Sequence, residues 1–191
     1  MSKPTEVIVL CEDNRTFSFA RSYLKRCRID SLIRPMISPR GKVSAFDWVV
    51  LQYPVQANAY RLLKARKHTW LIVFVDADTH PIEHRLGQLR TGLQQAEEPR
   101  LRELRIENET IARLIPRRNI ETWLLALNGV DVNEVDDFKS ERARDEWQAI
   151  IPTASAAFYD LTRQNAQRPE SLIRSLRHGI DEMRRVFQLA G

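Results

Sequence analysis

The stretch Leu71-Ile72-Val73-Phe74-Val75-Asp76-Ala77-Asp78 decides how the rest of the chain is read. An unbroken apolar run ends in two carboxylates separated by one small residue. Such a run, rich in β-branched and aromatic residues, has the pattern of an interior parallel strand covered on both faces. Residues two apart on a strand point to the same side, so Asp76 and Asp78 converge while Ala77 leaves room between them. Like charges so placed favour a cation, or an Arg or Lys partner, in the folded state. A plainer reading is also open, in which Asp76 begins a turn and Asp78 caps a helix starting near Pro81.

Upstream, Glu6-Val7-Ile8-Val9-Leu10-Cys11 reads as a strand, Glu12-Asp13-Asn14 as a polar turn and Arg15 to Arg26 as an amphipathic helix. That order opens an α/β unit. Ser31 to Ile37 is a second strand, passing into the basic turn Ser38-Pro39-Arg40-Gly41-Lys42. Ala45 to Val50 fits a short helix or a strand equally, whereas Val55 to Lys67 is a helix. After the deciding strand come a helix from Pro81 to Gln95 and a charged, irregular region from Glu97 to Asn108. Ile111 to Ile115 is another strand, stopped by Pro116. Asn119 is placed to cap a helix over Ile120–Leu127 that ends at Asn128-Gly129. Beyond it the strand pattern vanishes: Asp131 to Asp137 is acidic, and Phe138 to Gln188 is helical with breaks expected at Pro152 and Pro169. The organisation is therefore an α/β domain, mainly a parallel sheet flanked by helices, over residues 1–130, with a helical C-terminal extension over 131–191 packed on the same domain.

Composition bounds the function. The chain of 191 residues is 43% hydrophobic and 29% charged, an ordinary globular mixture. It has no apolar run of membrane-spanning length, and its polar start does not resemble a secretion signal, so the expected compartment is cytoplasmic. Cys11 and Cys27 are too few for a disulfide framework or a cysteine zinc cluster. The net charge of +5 and pI near 9.5 rest mainly on arginine, whose fork suits phosphate. A nucleic-acid partner is compatible with this balance and not required by it.

If the strands at 6–11, 70–76 and 111–115 lie parallel, their carboxyl ends share the edge where doubly wound sheets bind ligands. Glu12-Asp13, Asp76-Ala77-Asp78 and Pro116-Arg117-Arg118-Asn119-Ile120-Glu121 would all arrive there. With those residues in view, Val7-Ile8-Val9-Leu10-Cys11-Glu12 followed at a long interval by Asp76 and Asp78 resembles the Toprim domain of topoisomerases, primases and overcoming-lysogenisation-defect nucleases. The run from Ile115 to Leu125 resembles the Pro-x-x-x-Ile-Glu-x-Trp signature of small bacterial Toprim-like proteins, often linked to an ATPase partner in phage defence. The resemblance covers residues 6 to 128. It implies a Rossmann-like fold of the Toprim type and a Mg²⁺ site, Mn²⁺ being an alternative ion. Its ligands would be Asp76 and Asp78, with Glu12 as a further ligand or as the general acid/base of phosphodiester hydrolysis. Oxygen ligation, charge stabilisation at phosphorus and proton transfer by a glutamate suit that chemistry.

Around this centre several roles stay open. Many Toprim sequences carry glycine after the motif glutamate; this chain carries Asp13, which reads better as the cap of the helix at 15–26 than as a ligand. Glu121 is a fourth metal ligand or a first-turn carboxylate favoured by the helix dipole. Trp123 reads as core. Arg117 and Arg118, before a helix N-terminus, suit a phosphate or neutralise the acids, and Arg85 and the Arg40–Lys42 loop are further phosphate candidates with a simpler surface reading. Lys42 is the nearest candidate for a catalytic lysine. His80 and His84 are a weak zinc pair. The arginines of the Ser171–Gln188 helix invite a nucleic-acid reading, although packing on the sheet is simpler. The expected function is a Mg²⁺-dependent nuclease acting on DNA or RNA, as an anti-phage effector with an ATPase partner. The alternatives are a non-catalytic partner or sensor subunit binding an ATPase or nucleotide, and a small nucleotide phosphohydrolase.

Overall fold

The computed structural model describes residues 4–29, 32–39, 41, 44–64, 66–102 and 106–190. Strands β1 (Glu6–Cys11), β2 (Leu32–Ile37), β3 (Thr69–Phe74) and β4 (Ile111–Leu114) form one parallel sheet in the order β2-β1-β3-β4. Helices α1 (Asn14–Arg26), α2 (Ala45–Leu63), α3 (Ile82–Gln95), α4 (Pro99–Arg102), α5 (Ile120–Leu127), α6 (Arg144–Thr162) and α7 (Arg174–Leu189) flank it. The fold is thus α/β and Rossmann-like, with a helical C-terminal part.

Strand alternation sorts the core into two layers. Val7, Val9, Trp70, Ile72, Phe74, Ala112 and Leu114 face α1, α5, α6 and α7. Ile8, Leu10, Leu71, Val73 and Ile111 face α2 and α3. Because both faces are covered, the inner strands carry the continuous apolar runs that mark them in the sequence. Residues from 131 onward build the first layer: Trp147, Phe158, Leu176, Ile180 and Met183 are fully buried in it. At Gly179 of α7 a Cβ would stand 2.2 Å from the Trp123 ring, so the glycine allows this contact.

Three boundaries differ from the sequence reading. Ala45–Val50 and Val55–Lys67 are not separate elements: one helix runs from Ala45 to Leu63 through Pro54. Likewise α6 is not broken at Pro152. In each case an apolar stripe continues across the proline, Val49, Tyr53, Ala57 and Tyr60 in α2 and Trp147, Ile151, Ala154 and Phe158 in α6. Burial of that stripe outweighs the lost hydrogen bond, a cost of about 3 kcal/mol. The region expected to be irregular holds α4 and a 3-10 turn at Ile106–Asn108.

The sheet edges are closed by different means. On β4, Glu182 of α7 accepts the Arg113 backbone N–H at 2.8 Å, His178 meets the Arg113 carbonyl, and Arg185 donates to the carbonyls of Ile106, Glu109 and Ile111. Side chains therefore satisfy backbone groups that a further strand would otherwise take. β2 instead carries Pro35, which has no N–H to offer one. Arg184 is likewise spent internally, on the carbonyls of Leu161 and Ala166.

Candidate functional site

In the order β2-β1-β3-β4 the direction of winding reverses between β1 and β3, and their carboxyl ends flank the crevice where such sheets bind ligands. Glu12 leaves β1 and Asp76 leaves β3 at this point. Both are half-buried, and Glu12 Oε1 accepts the backbone N–H of Asp76 at 2.8 Å. The two segments bearing the sequence's acids are thus joined directly.

Asp78 arrives differently from the strand-alternation argument. β3 ends at Phe74, and Asp78 lies in the left-handed region at φ 51°. Its backbone exchanges two hydrogen bonds of 3.1 Å with Arg118, itself at φ 64°. Two non-glycine residues in a sparsely populated conformation, locked to each other, mark the place where the chain departs from regular structure beside the crevice. Asp78 does not cap α3, whose N-cap position is Pro81.

Arg85 corrects the simple surface reading. It is only 5% exposed. Its Nη2 donates to Asp78 Oδ2 at 2.8 Å, its Nε to the Asp76 carbonyl at 3.1 Å and its Nη1 to Gln88 at 3.0 Å. The guanidinium also lies 3.8 Å from the centroid of the Phe46 ring. It serves as an internal counter-ion that fixes the Asp76–Asp78 segment, held by a cation–π contact.

The electrostatics are strained in one direction. Burial, with Asp78 and Asp13 nearby, pushes the Glu12 carboxyl up to about 7, although the Asp76 N–H and Arg85 oppose the shift. Burial and the charges of Glu12 and Asp13 hold Asp76 well above the usual carboxylate range. Lys139 is among the few groups that pull Asp76 the other way. Asp13 caps α1, accepting the Thr16 N–H at 2.8 Å.

Lys139 was not legible in the sequence. It sits in the loop whose Asp137 accepts from Asn119 Nδ2 at 2.8 Å and from the Lys139 N–H at 3.0 Å, and pairs with Arg118 at 3.7 Å. Phe138 anchors that loop on the core. Asp137 is held below its usual range, chiefly by the Lys139 N–H. The only hint in the sequence was an acidic stretch followed by an aromatic residue. Arg40 and Lys42, the loop candidates, lie outside the described residues.

Glu121 is fully buried, and its partner is the Arg15 guanidinium. Trp123 is core, packed on Phe74 and Phe158, its Nε1 donating to Ser175 at 2.8 Å. Arg117 donates to the Thr79 carbonyl at 3.1 Å. His80 and His84 are exposed and stacked on each other, with ring centroids 4.6 Å apart.

The expected four-carboxylate shell of Glu12, Asp76, Asp78 and Glu121 is not assembled as a cage. Among the described residues no group of three or more Asp, Glu, His or Cys side chains is arranged to hold a metal ion. Asp78 is engaged by Arg85 and Glu121 by Arg15. What remains is Glu12 and Asp76, both pushed toward the protonated form by burial and neighbouring acids. Two such oxygen donors are the residues that could contribute to a site for a hard cation such as Mg²⁺, which binds one or two carboxylates and keeps several waters for exchange with phosphate.

A cavity of about 830 Å³ lies elsewhere, lined by Cys27, Tyr159, Arg163, Arg184 and Phe187, where α1 and α6 end against α7. Burial pushes the Cys27 thiol up to about 12, so the cavity offers no thiolate nucleophile. No helix among the described residues is long and apolar enough to cross a membrane. The chain matches no protein-family model, no curated protein and no solved structure.

Proposed function

We propose that this chain is a Toprim-like, Mg²⁺-dependent phosphodiesterase acting on nucleic acid, with Glu12, Asp76 and Asp78 at its centre. The observation that carries the reading is the Glu12–Asp76 contact at the switch point, where two acids with raised pKa values share one crevice. Clustered, desolvated acids in a ligand-binding cleft are the electrostatic mark of a functional site. Asp76 and Asp78 are the residues to hold Mg²⁺ or Mn²⁺. When bound, the ion supplies charge stabilisation at the phosphoryl oxygens and acidifies an attacking water.

The chain's own groups divide the remaining work. Glu12, poised near 7, exchanges a proton with the nucleophile or leaving group at neutral pH. Arg85 holds Asp78 and the Asp76 backbone in place and is not offered to substrate. Lys139, Arg117 and Arg118 line the rim and meet the phosphate. The resemblance to phage-defence proteins extends the proposal to an effector working with an ATPase partner.

The test is incubation of purified protein with single- and double-stranded DNA, RNA and nucleotides in Mg²⁺ or Mn²⁺, beside Asp76→Asn and Asp78→Asn. Metal-dependent cleavage lost in both variants is expected. Cleavage that survives both removes the site from the chemistry. Metal binding without cleavage of any substrate would favour a non-catalytic partner subunit instead.

A further inference from the structure

We infer that His80 and His84 form a stacking platform for an unpaired base, so that the substrate of this crevice is single-stranded nucleic acid. The inference deepens the phosphodiesterase reading and rests on it for the identity of the polymer. Both rings are exposed, and they lie face to face at 4.6 Å and 21° between planes. Neither contributes to either core layer, and neither joins a metal-binding group among the described residues. A pair stacked in solvent presents an outer aromatic face on each side.

Its position gives that face a use. The His80 backbone N–H donates to the Ala77 carbonyl at 2.9 Å, so His80 closes a tight turn directly after the Asp76-Ala77-Asp78 segment. One residue earlier, Arg117 reaches from the end of β4 to the Thr79 carbonyl at 3.1 Å, and its buried Nε has no acceptor among the described residues. The Arg117 guanidinium thus reaches the chain at Thr79, the residue next to His80 and directly after Asp78. A base can extend the histidine stack while the fork takes the neighbouring phosphate, the combination by which proteins grip single strands. A base held in a duplex must first leave its own stack to do so.

The experiment is fluorescence anisotropy in Ca²⁺ with a labelled single strand, its duplex and an abasic strand of equal length. The probed proteins are the wild type, His80→Ala/His84→Ala and His80→Phe/His84→Phe. Circular dichroism of each variant confirms that these exposed positions leave the fold intact. The alanine pair should weaken single-strand binding at least roughly fivefold, in line with one lost base stack. The phenylalanine pair should retain binding, and the abasic strand should not distinguish the proteins.

Equal binding by wild type and the alanine pair, an equal loss on the abasic strand, or a wild-type preference for duplex would each overturn the platform. Should cleavage proceed normally in that case, the phosphodiesterase reading survives without it. Base-dependent binding that is lost in the alanine pair, in a protein that cleaves nothing, would uphold the platform and remove the catalytic reading.

Discussion

The crevice between β1 and β3 and the outer edge of β4 both bury carboxylates, and they treat them in opposite ways. At β4, Glu182 lies against Arg113 and Arg185, and Glu109 against Arg61 and Lys64. These cations hold both carboxyls below their ordinary range despite burial. In the crevice, Glu12 and Asp76 face each other and further acids, and both are pushed up. The same residue types in the same fold therefore serve two ends. Matched charge ties a helix to a sheet edge, whereas unmatched charge at a switch point stores an affinity for a cation or a proton.

The contrast breaks most sharply under paired substitution. Glu182→Ala leaves the Arg113 guanidinium and backbone N–H without this acceptor in a largely buried place and removes the counter-charge of Arg185, and should cost about 3–5 kcal/mol in urea denaturation. Asp76→Asn removes an uncompensated charge, so its unfolding free energy should stay level or rise while metal-dependent cleavage disappears. A large loss of stability in Asp76→Asn would place that residue with the structural acids.

The pH dependence of stability should also run oppositely at the two sites. Glu12 rises from its ordinary 4.5 to about 7, so the folded state keeps a proton that the unfolded chain has released. Its contribution is full below about pH 4.5 and is lost as pH climbs through 7, on the order of 2–3 kcal/mol. Glu109 and Glu182 are depressed, so their contribution is present above the ordinary glutamate pKa and lost as acid carries the pH down through the lowered values. In thermal melts from pH 4 to 8, Glu12→Gln should flatten the decline toward pH 7 and leave the acid limb alone. Mg²⁺ should restore part of the lost stability above pH 7, because a cation favours the ionised crevice. A melt curve that Glu12→Gln does not alter would detach the raised pKa from the crevice.

Gly179→Ala tests the matched side through packing alone. The added methyl meets the buried Trp123 ring, so either that ring or α7, which carries Glu182 and Arg185 and packs on β4, must shift. A loss of about 1–3 kcal/mol is expected from the overpacking, with the crevice chemistry retained per folded molecule. Loss of cleavage in the protein that remains folded would show that the two regions are coupled.

How much of this could be read from the sequence follows from what each feature depends on. The strands and the shared carboxyl edge were legible because interior parallel strands need unbroken apolar runs, and Glu12 and Asp76 directly follow two of them. The caps at Asp13 and Asn119 were legible because capping is local. Pro54 and Pro152 misled because local chemistry disfavours a helix that tertiary burial then imposes. Arg85 and Lys139 were hidden for a related reason. The first is buried only because Phe46 and Asp78 come from other segments, and the second is aimed only because Phe138 docks on the core.

Asp13 supplies the finest cut between the two kinds of acid, because it belongs partly to each. Its side chain caps α1, which is structural, while its charge raises both Glu12 and Asp76. Asp13→Asn keeps an oxygen for the Thr16 N–H, since asparagine caps as well as aspartate does. It should leave stability within a few tenths of a kcal/mol and lower the pKa of Glu12, which the acid limb of a cleavage–pH profile would report. Asp13→Ala should lower the same pKa and also cost about 1 kcal/mol for the missing cap. If both variants weaken metal binding alike, as measured by calorimetric titration, Asp13 is a ligand as well as a cap. If only the pH profile moves, its place is on the structural side, acting on the crevice through its charge alone.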